Sequence, residues 1–257
     1  MTDGLIAVTA ATGGMGGRVA RRLAQRGVPQ RLVVRDAGRA PQLSEAEVVA
    51  AAGYEARAEM EAALDGVDTL FLVPANETAE RVERHRTAVD AAAAAGVRRI
   101  VYLSFLACGP EATFTFARDH WHTEQHVRAA GVAFTFVRMS LYLDFLPNLI
   151  GEDGVIRGPA GNGRFAPVLR DDLADVVAAV LLGEGHDGAT YDVTGPATFT
   201  LAEAAATMAR VSGLPIAFED ETLSRRTRHA PGTARRTGRW PAGSRHTPRS
   251  APASSTS

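Results

Sequence analysis

The chain has 257 residues, 46% hydrophobic and 22% charged, enough to bury one sizeable core. It contains no lysine, so all 28 basic residues are arginine, and Schiff-base chemistry or any scheme that needs an ammonium group is excluded. The formal net charge of −1 is unevenly spread: eight arginines and no acid follow Leu223, which leaves an acidic body and argues against nucleic-acid binding by the folded part.

Leu5 to Thr9 reads as a first strand that breaks into Ala10-Ala11-Thr12-Gly13-Gly14-Met15-Gly16-Gly17 and then a helix closed by Gly27. Strand, tight turn and helix N-terminus form the arrangement in which backbone N–H groups and the helix dipole hold a pyrophosphate. Gly13 is expected to admit a phosphate closely and Gly16 to let the helix pack on the strand. Ala10 takes the position of the first glycine, tolerable if its φ stays negative. An ordinary strand-to-helix turn is the competing reading.

Further strands are expected at Arg31 to Val34, Val48 to Ala51 and Thr69 to Val73, followed by a long alanine-rich helix capped by Asn76 and closed by Gly96. Arg99 to Ser104 reads as a strand, Asp119 to Ala130 as a helix stopped by Gly131, and Val132 to Val137 as the next strand. Such alternation predicts a parallel sheet covered on both faces, with a dinucleotide at the carboxyl ends of its strands. From about Ser140 the rhythm changes. Gly151 to Gly163 reads as a loop, Asp171 or Asp172 as the cap of a helix through Leu182, Ala189 to Val193 as a strand, and Thr200 with Glu203 as a capping box opening a helix to about Val211. The fold class expected is α/β, a Rossmann-type doubly wound parallel sheet with a small C-terminal substrate lobe: residues 1–139 bind NAD(P), 140–223 form the lobe, and 224–257 form a tail.

Cys108 is the single cysteine, so an intrachain disulfide and a cysteine-type zinc site are excluded. No apolar run approaches the roughly 20 residues of a membrane span, and the cytoplasm is the expected compartment. The second strand ends in Arg35-Asp36, where the adenosine ribose is read. Arg35, with Arg39 as a second cation, suits a 2′-phosphate and favours NADP; Asp36 could instead compete for the ribose, which keeps NAD open. His122-Thr123-Glu124-Gln125-His126 departs from the metalloprotease helix, since the glutamate stands two residues after the first histidine and faces away from the His122/His126 stripe, so no metal is expected.

Taken together, Thr9 to Gly16, Val34-Arg35-Asp36, Ala95-Gly96-Val97, Ser104-Phe105-Leu106, Asp119 to Glu124, Arg138 to Tyr142, Gly158 to Gly163, Arg170-Asp171-Asp172 and Val193-Thr194-Gly195 resemble the atypical short-chain dehydrogenases/reductases of the NmrA-like group, and among them the quinone oxidoreductase type 2 enzymes. The resemblance implies cofactor contacts at Ala10, Ala11, Thr12, Gly13, Gly14, Met15, Gly16, Arg35, Val73, Pro74, Ala75, Asn76, Ser104, Met139, Ser140, Leu141, Tyr142 and Arg170. Gly53 departs from an aspartate usual near the adenine, and Pro74 from a small hydroxyl residue. The Tyr-x-x-x-Lys pair of most short-chain dehydrogenases cannot exist without lysine. The resemblance therefore implies direct hydride transfer from NADPH to a quinone-like or other conjugated acceptor, with His120 or Tyr142 as assisting groups. Two alternatives stand beside these: His120 pairs with Glu124 one turn on, and the protein is a dinucleotide-binding redox sensor without turnover. Ser104 either orients the ring or caps local backbone, and Phe105, Trp121, Tyr142 and Phe145 either line an acceptor pocket or belong to the core. The expected partners are a small-molecule acceptor and no membrane, with homo-oligomerisation left open.

The tail from Ser224 to Ser257 has no Leu, Ile, Val, Phe or Met and is expected to be disordered. The resemblance stops near Thr222. An Arg/Pro/Ser/Ala-rich text in a lysine-free chain suggests a shifted reading frame in a GC-rich gene, with a native basic arm as the alternative.

Overall fold

The computed structural model describes residues 4–221; the tail expected to be disordered lies outside the described residues. Its centre is a seven-stranded, wholly parallel sheet in the order β3-β2-β1-β4-β5-β6-β8. The strands are β1 (Ile6–Thr9), β2 (Gln30–Val34), β3 (Ala46–Ala50), β4 (Thr69–Leu72), β5 (Arg99–Phe105), β6 (Ala133–Met139) and β8 (Thr190–Val193). A two-stranded parallel pair, β7 (Val155–Gly158) with β9 (Ala217–Asp220), stands outside it. Strand order reverses between β1 and β4, and at that switch point the chain ends of the strands open a crevice for a ligand.

Because both faces are covered, the strands read as near-continuous apolar runs, and alternation decides which face each side chain serves. Ile6, Val8, Leu32, Val34, Val101, Leu103 and Val137 pack against α1 (Gly16–Gln25) and α5 (Arg170–Leu182). Ala7, Val33, Leu70, Leu72, Ile100, Tyr102 and Phe136 pack against α2 (Arg57–Leu64), α3 (Arg81–Ala94) and α4 (Thr115–Ala129). The alanine stripe of α3, with Ala88, Ala91 and Ala92 fully buried, lets that helix lie close on the sheet. Gly27, Gly96 and Gly131 end their helices in the left-handed region at φ 66°, 79° and 74°, where a glycine stop has no Cβ penalty. Thr200 and Glu203 make the expected capping box at the start of α6 (Leu201–Ser212).

Several expectations are corrected. Helix α2 is an element the sequence pattern does not announce. Asn76 caps nothing: α3 starts five residues later, with Glu80 at its N-cap. Helix α4 begins at Thr115 rather than Asp119. Asp171 and Asp172 lie inside the first turn of α5, where they face the positive end of the dipole instead of capping it. The glycine-rich stretch from 151 contains β7, because β9 arrives from far along the chain to pair with it. Of residues 140–223, α5 and β8 join the main layers, whereas β7, β9 and α6 stand outside the large sheet.

Candidate functional site

The turn after β1 is exposed at Thr12, Gly13 and Gly14. The Gly13 N–H donates to the Ala10 carbonyl at 2.8 Å, closing a tight turn, and among the described residues the N–H groups of Thr12, Gly14 and Met15 have no protein partner. Unpaired N–H groups at a helix N-terminus fit an anion. A Cβ on Gly16 would stand 2.4 Å from the Thr9 carbonyl oxygen and 2.5 Å from that of Ala10, so only glycine lets α1 sit this close to β1. Ala10 is a correction: its φ is +50°, in the left-handed region, not negative. Ala11 and Met15 are buried in the core and reach the site through backbone alone.

Beside the turn lies a cavity of about 230 Å³ over the ends of β1 to β4, lined by Ala10, Thr12, Gly13, Val33, Val34, Arg35, Ala51, Gly53, Tyr54, Glu55, Met60, Pro74, Ala75, Asn76 and Arg84. It joins the phosphate turn to Arg35, as the two ends of an adenosine diphosphate require. The Asp36 carboxylate accepts the Gly38 N–H at 2.9 Å and caps the short 3-10 turn Ala37–Arg39. One Asp36 oxygen is thus taken, and Asp36 does not line the cavity, whereas Arg35 does. Arg39, the expected second cation, does not line the cavity either; Arg84 does, paired with Glu55 at 3.6 Å. The Glu55 carboxylate occupies the space directly over Gly53, within 2.8 Å of where a Cβ would stand. Tyr54 forms the floor: its hydroxyl lies 2.5 Å from the Val73 carbonyl and 2.7 Å from Thr9 Oγ1, and burial raises its pKa.

At the other end, Arg170 at the start of α5 reaches over Gly14, lies 4.1 Å above the Tyr142 ring and pairs with Asp144 at 2.7 Å. Burial pushes the Tyr142 hydroxyl up to about 12. Met139 ends β6 and Ser140 and Leu141 follow it, tied by Leu106 N–H to Met139 O, Ser140 N–H to Val193 O and Val168 N–H to Leu141 O. Ser104 points the other way. Its hydroxyl donates to Glu124 at 2.6 Å, and Glu124, fully buried, takes two bonds from Arg138 at 2.9 and 2.7 Å. Burial opposes the Glu124 charge, yet Arg138, Ser104 and Cys108 together hold its carboxyl below the usual range. Burial and the adjacent Glu124 push the Cys108 thiol up to about 11.

His120 is corrected in two respects. It does not pair with Glu124, and it does not face the cavity: it is 2% exposed, with Tyr102 at its Nδ1 (2.8 Å) and Arg81 at its Nε2 (3.1 Å). Burial, then Arg81, then His85 hold its pKa well below the ordinary value, so it is neutral. In the His122 to His126 stretch, His126 binds Asp90 at 2.7 Å, and among the described residues no cluster could hold a metal ion. Of the expected acceptor-pocket aromatics, Phe105 packs on Phe114 and His120, Trp121 on His122, and Phe145 is exposed.

Residues 10–184 match the family model described as NAD(P)H-binding. The chain belongs to that family. It is 42% identical over 228 residues to a (4-alkanoyl-5-oxo-2,5-dihydrofuran-3-yl)methyl phosphate reductase of Streptomyces griseus, covering 84% of this chain and 77% of the relative. Quinone oxidoreductase 2 of Escherichia coli is 32% identical over 223 residues, with the same coverage of 84% and 77%. The crystal structure of that enzyme complexed with NADPH superposes with a TM-score of 0.76, covering 84% of this chain and 78% of the other. The NAD(P)-binding fold expected from the sequence is thereby established, and an NmrA-like oxidoreductase of Aspergillus flavus, 27% identical over 169 residues, is among the relatives. No helix among the described residues is long and apolar enough to cross a membrane.

Proposed function

We propose that this NAD(P)H-dependent oxidoreductase prefers NADPH and passes a hydride to a quinone-like or other conjugated small molecule. The observation that carries the cofactor choice is Arg35 lining the same cavity as the glycine turn while Asp36 is spent on its own cap. A guanidinium there pairs with a 2′-phosphate, and the Asp36 carboxylate, turned to its own cap, does not line the cavity. The unpaired N–H groups of the turn take the pyrophosphate, and Arg170, already over Gly14, lies within reach of the same charge. Beyond the turn, the segments Ser104 to Leu106 and Met139 to Tyr142 shape the nicotinamide end, with β7, β9 and α6 as the substrate-side lobe.

The bound dinucleotide supplies the hydride. Among the described residues the expected acids do not accompany it: the Tyr142 hydroxyl is held near 12, His120 is neutral and inside the core, and the Ser104 proton is committed to Glu124. Tyr142 can donate a hydrogen bond to an acceptor oxygen, but the proton that completes reduction comes from solvent. Acceptors whose reduced form is a stabilised anion, such as quinones and doubly activated enones, fit that limit; a simple ketone does not. Continuous NADPH oxidation against a panel of quinones, enones and ketones tests this. Turnover with the first two classes is expected, and cofactor binding without acceptor-dependent turnover would replace the enzyme by a sensor.

A further inference from the structure

We propose that Arg81 and His85 are positioning residues for the loop from Val73 to Asn76, gripping both backbone polar groups of Ala75 so that the loop offers the dinucleotide a fixed surface. The proposal rests on the cofactor reading above and deepens it. Arg81 and His85 stand one turn apart on α3 and so share a face. Arg81 Nε donates to the Ala75 carbonyl at 3.0 Å, and the Ala75 N–H donates to His85 Nε2 at 2.8 Å. Both side chains are buried, His85 completely.

The same stretch is anchored on its other side. The Val73 N–H donates to Thr9 Oγ1 at 2.9 Å, and the Val73 carbonyl faces the Tyr54 hydroxyl. Pro74 has no N–H. From Val73 to Ala75, therefore, the Pro74 carbonyl is the one backbone group without a protein partner among the described residues, and Pro74 lines the cavity. Side chains from β1, the loop before α2, and α3 have replaced water at every other group. A loop without secondary structure is thereby held as firmly as a strand end.

The hydrogen bonds have one consistent direction. Since His85 Nε2 accepts, Nδ1 carries the proton and donates to Thr123 Oγ1 at 2.8 Å, whose hydroxyl donates to the Asp119 carbonyl at 2.9 Å. Burial, then Arg81, lower the His85 pKa to about 3, which keeps Nε2 free to accept. Arg81 is held in turn by Asp119 at 3.4 Å and His120 at 3.1 Å. The grip on Ala75 is thus braced by α4, and His120 acts at second hand, through Arg81.

Glutamine can place an amide oxygen where Nε2 stands; asparagine reaches Nδ1 and Thr123 but leaves the Ala75 N–H without its acceptor. We would measure NADPH dissociation constants by fluorescence, and KM for NADPH and kcat with menadione, for wild type, His85→Gln and His85→Asn, with thermal unfolding recorded alongside. His85→Asn should raise both the dissociation constant and KM about tenfold, the cost of an orphaned N–H, with kcat within about threefold. His85→Gln should stay within about threefold of wild type in all three. Equal shifts in the two variants, or wild-type affinity in His85→Asn, overturn the proposal. If His85→Asn fails to fold, His85→Gln and the wild-type amide exchange decide it: a tenfold loss in a folded His85→Gln, or an Ala75 amide unprotected in the cofactor-free protein, is fatal. Wild type that binds neither NADPH nor NADH rejects the functional reading itself.

Discussion

Replacing Ala10 by glycine should stabilise the protein, although it removes a methyl group from the edge of the core. At φ +50° an L-residue costs about 1–2 kcal/mol relative to its favoured regions, a penalty glycine escapes. The greater freedom of glycine in the unfolded chain opposes this by about 0.4–1 kcal/mol. The net gain lies between about 0 and 1.6 kcal/mol, centred on about 0.8, a rise in Tm of roughly 2–3 °C at the centre for a domain of this size. The reference is Gly16→Ala, whose Cβ would meet backbone oxygens of Thr9 and Ala10 at 2.4 and 2.5 Å and must push α1 off β1, at a cost of about 2–3 kcal/mol. Urea titration followed by circular dichroism measures both, and NADPH affinity in Ala10→Gly should change less than about threefold. The sign decides the matter. Had Ala10 kept a negative φ, glycine there would destabilise by its unfolded-state entropy alone; a loss of stability in Ala10→Gly, or a silent Gly16→Ala, would refute this geometry of the turn.

Arg35→Ala should weaken NADPH roughly 10- to 150-fold, the worth of a charge-assisted bond of about 1.5–3 kcal/mol, and leave NADH within about twofold; equal losses for the two cofactors would sink the 2′-phosphate assignment. Buried neutral His85 and His120 bind protons in the unfolded chain near pH 6.5 but not in the folded one, so their contribution to stability is lost as pH falls below about 6.5, that of His85 down toward about 3. Each contributes a slope of at most about 1.4 kcal/mol per pH unit, and His85→Gln should show a shallower fall between pH 6 and 4 than wild type; identical slopes would mean His85 is not held neutral. Glu124→Gln should cost about 2–3 kcal/mol by unpairing Arg138, and it should lower the Cys108 pKa from about 11, since a neighbouring negative charge is removed. The rate of iodoacetamide alkylation against pH reads the second effect, and an unchanged or raised thiol pKa would contradict it.

The main layers were legible because their signals are local. The β1 strand, the glycine turn and the left-handed helix stops at Gly27, Gly96 and Gly131 each depend on a few adjacent residues, and their reading carried the parallel sheet with it. Helix α2 escaped notice because Arg57 to Leu64 spans only eight residues with no side-chain cap, and Met60, Ala63 and Leu64 are its only fully buried members. Strand β7 escaped because its partner β9 lies about sixty residues on, and four residues with a terminal glycine give no alternation to read. The start of α3 differs for a related reason: Asn76 looks like a cap by composition, yet it lies in a loop that lines the cavity, and the helix begins at Arg81.

The candidate site divides along the same line. Arg35 could be read from its place at a strand end, whereas Tyr54, Glu55 and Arg84 come from a loop and helix whose approach only the folded sheet determines. The instructive failure is His120. Spacing put His120 and Glu124 on one face of α4, which is correct, and both are buried. What spacing could not supply was the opposing surface: β5 presents Tyr102 to His120 and Ser104 to Glu124, β6 brings Arg138, and α3 brings Arg81. Each acquired a stronger partner than the other could be, because a carboxylate buried beside a guanidinium takes two aligned bonds from it and has no need of a neutral imidazole. A signal was nevertheless available. Arg81 and His85 interrupt the face of α3 that continues into the buried stripe of Ala88, Ala91 and Ala92, and polar side chains on such a face must find buried polar partners. Here the partners are the peptide groups of Ala75, so the polar break in an apolar stripe points at the loop that the proposed cofactor would touch.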